Sequence, residues 1–75
     1  MTLGETQIGD RVKIKAIGCT AKITKKLRAM GITSGLVAEV TFVAPFGTPI
    51  AIKADNLRLA IGKAEADKIT VEYVK

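Results

Sequence analysis

Hydrophobic and polar residues alternate singly over residues 11–17, where Val12, Ile14 and Ala16 are separated by Arg11, Lys13 and Lys15. A period of two belongs to a strand with one buried and one wet face. Gly9-Asp10 before it and Gly18 after it are turn signals, so this first strand has marked limits. The period changes after residue 20. Ile23, Leu27 and Met30 stand at i, i+4 and i+7, which is one stripe of a helix. Lys22, Lys25 and Arg28 fall on the far side, with Lys26 on the flank. Thr20 suits the N-cap, because its hydroxyl can accept from a first-turn amide. Gly31 suits the left-handed residue that ends a helix, and Ile32 the hydrophobic contact that follows such an end. The spacing therefore predicts a short amphipathic helix over about residues 20–30, with its late basic residues at the negative end of the macrodipole.

Residues 36–44 are apolar or β-branched almost throughout and predict a strand launched by Gly35. Pro45-Phe46-Gly47-Thr48-Pro49 is a loop, since prolines lack ladder amides and the glycine permits a turn. Residues 50–54 form a third strand with Ile50 and Ile52 on one face. Asp55-Asn56 tolerates the left-handed region and predicts a tight hairpin turn to a fourth strand at residues 57–61. Residues 63–68 have the composition of one helical turn. Residues 69–74 make a fifth strand, with Ile69, Val71 and Tyr73 on one face. The expected fold is mainly β: a small five-stranded antiparallel barrel with one inserted short helix. Closure would remove the exposed edges that make so apolar a chain prone to aggregate.

Composition sharpens this picture. Seventy-five residues hold one core, hence a single domain over residues 1–75. Such a domain buries roughly 60% of the surface its unfolded chain exposes. Cys19 is the only cysteine and there is no histidine, so neither a disulfide nor the usual tetrahedral metal site is available. A lone free thiol fits a reducing compartment. The first ten residues carry acids before any lysine and lack the apolar core of a signal peptide. No segment reaches the ~20 apolar residues of a membrane span. Twelve basic residues against seven acids leave a net charge of +5, which fits an anionic partner as well as simple solubility.

Little in the chain suggests catalysis. The commonest general base is missing, and the serine, cysteine and carboxylates show no triad or acid–base spacing. Ser34, between Thr33 and Gly35, is a turn residue. Cys19 near a helix start is either a small packed hydrophobe or a thiol of lowered pKa able to pass a metal. No phosphate-binding loop or oxygen-ligand cluster is present. Two candidate contact surfaces remain. Lys22, Lys25, Lys26 and Arg28 form either a solvated helix face or a surface for an acidic protein or anionic headgroups. Phe46, with Pro45 beside it at the loop tip, is either an exposed apolar anchor or folds back to cover one end of the barrel. A nucleic-acid-binding barrel is the alternative that charge and fold allow. The three aromatics, Phe42, Phe46 and Tyr73, give it no basic–aromatic interleaving for base stacking.

The order of these pieces resembles the FeoA family, the small cytoplasmic proteins that accompany the bacterial ferrous iron transporter FeoB. The resemblance runs over nearly the whole chain. It is carried by Val12-Lys13-Ile14, by Ile17-Gly18, by Leu27-Arg28-Ala29-Met30-Gly31-Ile32 followed by Gly35, and by Ala44-Pro45-Phe46-Gly47-Thr48-Pro49-Ile50. Arg58-Leu59-Ala60-Ile61, Glu65-Ala66 and Ile69-Thr70-Val71 complete it. It implies a Src-homology-3-like barrel and a regulatory or assembly role on the transporter, with no cofactor and no iron bound by the protein itself. The implied partner is the cytoplasmic domain of a FeoB-like transporter, with peripheral contact to an anionic membrane surface and weak self-association as further expectations. Three positions depart from the family pattern. Thr48 stands where an acid is usual, Asn56 where a glycine is usual, and Gly62 where an arginine is usual.

Overall fold

The computed structural model describes residues 1–46 and 48–74; the turn expected at Gly47 lies outside them. The elements are strand β1 (Arg11–Ile17), helix α1 (Ala21–Ala29), strands β2 (Val37–Val43), β3 (Ile50–Ala54) and β4 (Leu57–Ile61), a single turn α2 (Lys63–Ala66) and strand β5 (Ile69–Tyr73). A short 3-10 turn at Leu3–Glu5 precedes them. All neighbouring strands pair antiparallel in the order β4-β3-β2-β1-β5. The sheet is rolled: its two end strands contribute Ile61, Ile69 and Val71 to one buried cluster with Val12, Ile14, Val40, Ile50 and Ile52 from the middle. Among the described residues hydrogen bonding does not close the roll, since β4 pairs there only with β3, and α2 connects the two ends.

Strands β1 and β2 each carry an irregularity, and each swaps the faces of the residues beyond it. In β1, Ile14 faces Val71 while Ala16 faces Thr70, so Lys15 is extra. The simple alternation that puts Ala16 inside therefore fails: Ala16 is exposed and Ile17 packs against the core instead. In β2, Val40 faces Ile52 while Phe42 faces Ala51, so Thr41 is extra. Phe42 consequently points to solvent and Val43 inward. Bulges of this kind bend a strand, which a small rolled sheet requires.

The N-terminal residues, which the periodicity leaves without structure, belong to the fold. Leu3 is buried in the core, and buried Thr6 donates its hydroxyl to the Leu3 carbonyl at 2.7 Å. The Val71 amide donates to the Met1 carbonyl at 2.8 Å and Thr2 bridges to Thr70, so this segment lies along the outer edge of β5. Glu5 accepts from the Thr2 amide at 2.8 Å and from the Thr2 hydroxyl. These bonds hold its carboxyl below the ordinary 4.5. The tie is present above the ordinary carboxylate range and is lost as pH falls through the lowered value.

In the β3–β4 turn the left-handed conformation falls on Asp55, with φ 52°, rather than on Asn56. The Asn56 departure from the family's glycine thus costs no backbone strain. Tyr73, expected to share the buried face of β5, stands exposed at the strand end beyond the core.

Candidate functional site

Helix α1 is defined at both ends as its sequence predicts. The Thr20 hydroxyl accepts from the Ile23 amide at 3.3 Å, and the Thr24 hydroxyl donates to the Cys19 carbonyl at 3.2 Å. At the other end the Ile32 amide donates to the Leu27 carbonyl at 2.9 Å and the Gly31 amide to the Arg28 carbonyl at 3.0 Å. This is the double bond of a Schellman closure, with Gly31 at φ +97° in the left-handed region. Leu27 and Ile32 are buried, while Ile23 and Met30 are half-buried against the core. The stripe is thereby fixed, and the rest of the helix is turned outward.

Lys22, Lys25, Lys26 and Arg28 are all exposed. None forms an ion pair among the described residues, whose two ion pairs, Lys15–Glu72 at 3.6 Å and Lys63–Asp67 at 3.3 Å, lie elsewhere. The helix has no acid at all. Lys22 with Lys25 and Lys26, and Lys25 with Arg28, are like charges at i,i+3 and i,i+4 spacing. Each such pair costs an isolated helix roughly 0.2–0.5 kcal/mol. Lys26 and Arg28 gain from the negative helix end, but the mutual repulsion of the four remains, and an anionic surface laid against them would relieve it.

Phe46, left open between anchor and lid, is exposed over 90% of its surface. It stands at the tip of the β2–β3 connection beside exposed Pro45 and covers no core. The α1 cations and this loop are separate surfaces, but α2 links them. The Lys63 amide donates to the Thr48 hydroxyl at 3.2 Å. Gly62 and Glu65 in turn share a cleft with Ile23, Lys26, Leu27 and Met30 of α1. Two of the departures from the family pattern, Thr48 and Gly62, thus meet at one place. Thr48 keeps an acceptor there without the charge. Thr48→Val should cost about 1 kcal/mol, seen as a fall of about 4–8 °C in thermal midpoint.

Cys19 sits half-buried against the core, its thiol 3.9 Å from the Glu65 carbonyl. Among the described residues no three histidine, cysteine, aspartate or glutamate side chains converge as metal ligands. Among the described residues no helix is long and apolar enough to cross a membrane. The sequence signal missed a further charged row, three cations and one acid, on the outer face of the sheet. Arg58, Lys53, Glu39 and Arg11 stand in one cross-strand row over β4, β3, β2 and β1. Only the strand order brings them together.

A rolled five-stranded sheet with a helix inserted between its first two strands defines a Src-homology-3-like domain. The FeoA domain model matches residues 1–73, and the chain belongs to the FeoA family, which is implicated in ferrous iron transport. The FeoA protein of Chlorobium tepidum is 28% identical with a TM-score of 0.92, and the match covers 100% of this chain and 71% of that one. The FeoA-like protein of Clostridium acetobutylicum is 33% identical with a TM-score of 0.86, over 100% of this chain and 87% of that one. A Stenotrophomonas maltophilia FeoA complexed with zinc, described as a prokaryotic SH3 domain protein, shares the fold at 22% identity. Its TM-score is 0.80 over 96% of this chain and 89% of that one. Among curated proteins no sequence match was found.

Proposed function

We propose that this chain is a non-enzymatic accessory and regulatory protein of bacterial ferrous iron uptake. It works in the cytoplasm as one domain, by binding the cytoplasmic part of a FeoB-like transporter. Membership of the FeoA family supports the process. The observation that carries the binding role is the helix α1, which exposes four cations and no acid, none of them paired among the described residues. Such a face suits an acidic protein surface, where complementary charge speeds encounter and sets orientation. Exposed Pro45 and Phe46 supply an apolar contact of the kind that anchors an interface.

Capture of the transporter's soluble domain tests this. The wild-type protein should bind, and added salt should weaken the complex. Lys22→Glu, Lys25→Glu and Arg28→Glu together should weaken binding by about tenfold or more, since like charges then face each other across the contact. Unchanged binding by that variant would move the interface away from α1. Absence of binding by the wild type, at low salt and high concentration, would overturn the proposal.

A further inference from the structure

The two ends of the sheet are treated differently. The outer edge of β5 is covered by Met1 and Thr2, whereas among the described residues β4 pairs on one side only. Ala54 and Leu57 face each other across a two-residue loop, and the closing pair of such a hairpin exchanges both backbone hydrogen bonds. Alternation along the ladder then turns the amides and carbonyls of Leu57, Leu59 and Ile61 toward β3. Those of Arg58 and Ala60 are turned outward. Among the described residues no backbone group bonds to either from that side, and both residues are exposed. Beside this edge lies a cleft of about 230 Å³ between α1 and β4, lined by Ile23, Leu27, Met30 and Ile61 with Lys26 and Glu65 at its polar wall.

We propose that the outer edge of β4 is a docking site for an extended acidic segment of a partner protein, which adds to the sheet as a further strand. Arg58 and Ala60 offer two donors and two acceptors at the spacing a strand matches. Side chains of an added strand alternate between the faces. One set lies beside Arg58, with Lys53 next to it on β3 and Arg11 beyond Glu39 in the same row; carboxylates fit there. The other set lies over the cleft of Ile23, Leu27 and Met30, where an apolar side chain fits. Charge decides the occupant. A second copy of this chain would bring its own Arg58, Lys53 and Lys26, on a molecule of net charge +5, to the same cations. An acidic segment neutralises them. The site rests on the protein-binding role proposed above, but not on the identity of the transporter.

The test is an NMR titration of the isotope-labelled full chain with a short acetylated peptide of alternating glutamate and valine. A peptide of alternating lysine and valine is the control. The acidic peptide should perturb β4 together with Ile23 and Met30, and should slow amide hydrogen exchange at Arg58 and Ala60. The lysine peptide should do neither. Ala60→Pro removes an outward donor without touching the β3 ladder, and Arg58→Glu reverses the charge with the fold left intact. Each should weaken the acidic peptide by about tenfold or more. Equal response to both peptides, or perturbation confined to the Phe46 loop, would overturn the proposal. So would slowed exchange at Arg58 and Ala60 that follows protein concentration alone, which would make a second copy the occupant. Peptide binding at β4 in a protein that fails to capture the transporter would support the edge site and overturn the transporter role.

Discussion

Replacing Ile32 with alanine should destabilise the protein by about 2–5 kcal/mol, the cost of deleting a large buried aliphatic group and leaving its cavity. Ile32 has no exposed surface and follows directly on the Gly31 closure of α1. It packs in the same cluster as Leu27, three residues inside the helix end, so its side chain ties the helix to the core. The whole stability of a chain this long is on the order of 4–11 kcal/mol. The substitution therefore removes a large fraction of it, and thermal melting should show a fall of at least about 10 °C. Ile32→Val keeps most of the volume and should cost about 0.5–1.5 kcal/mol. The contrast has a functional side. The α1 cations keep their charge in Ile32→Ala, yet the proposed transporter binding should fall with the helix, because a contact helix that must first be ordered loses affinity. Melting of the two variants by circular dichroism, followed by binding of whichever remains folded, checks both points. A loss below about 1 kcal/mol for alanine would mean that Ile32 does not seat the helix.

Much of this was legible in the residues. Single alternation located β1, β3 and β4, because one face of each is wet. The change of period at Ile23, Leu27 and Met30 located α1, and Thr20 and Gly31 marked its ends through backbone chemistry that is local. What failed for Ala16, and what was missed elsewhere, was set by distant partners. The extra residues at Lys15 and Thr41 turn Ala16 and Phe42 outward, and an inserted residue leaves no compositional mark. Leu3 and Thr6 are buried by the arrival of β5 and α2, not by any period of their own. Of the candidate contact residues, the α1 cations and Pro45 stand exposed as their positions suggest. For Phe46 the sequence allowed anchor and lid equally, and only the conformation of the loop makes it solvent-facing. The bare edge of β4 was invisible for a more basic reason. Alternation identifies a strand, but it does not say which strand stands last in the sheet.

Gly31 and Gly35 allow a sharper comparison, since they share nearly the same positive φ in different surroundings. Their φ values are +97° and +96°. A side chain at either pays for a left-handed conformation, about 1–2 kcal/mol for an L-residue. At Gly35 an added Cβ meets nothing within 4 Å, whereas at Gly31 it lies 2.9 Å from Cδ2 of Leu57. Gly35→Ala should therefore cost only the backbone term. Gly31→Ala should cost that term and the displacement of Leu57, about 2–3 kcal/mol together. Because the obstacle is the end of a flexible side chain, Leu57→Ala should absorb part of the excess. The double variant Gly31→Ala with Leu57→Ala should then be less destabilised than the sum of the singles. Chemical denaturation of the four proteins reads this directly, and strict additivity would show that the contact contributes nothing. Leu57 begins β4, and Gly31 directly follows Met30, which lines the cleft beside the bare edge. Bulk at residue 31 should therefore do more than loosen the helix. It should move the wall against which an added strand lays its apolar side chains, and so weaken the acidic peptide while leaving Arg58 and Ala60 in place.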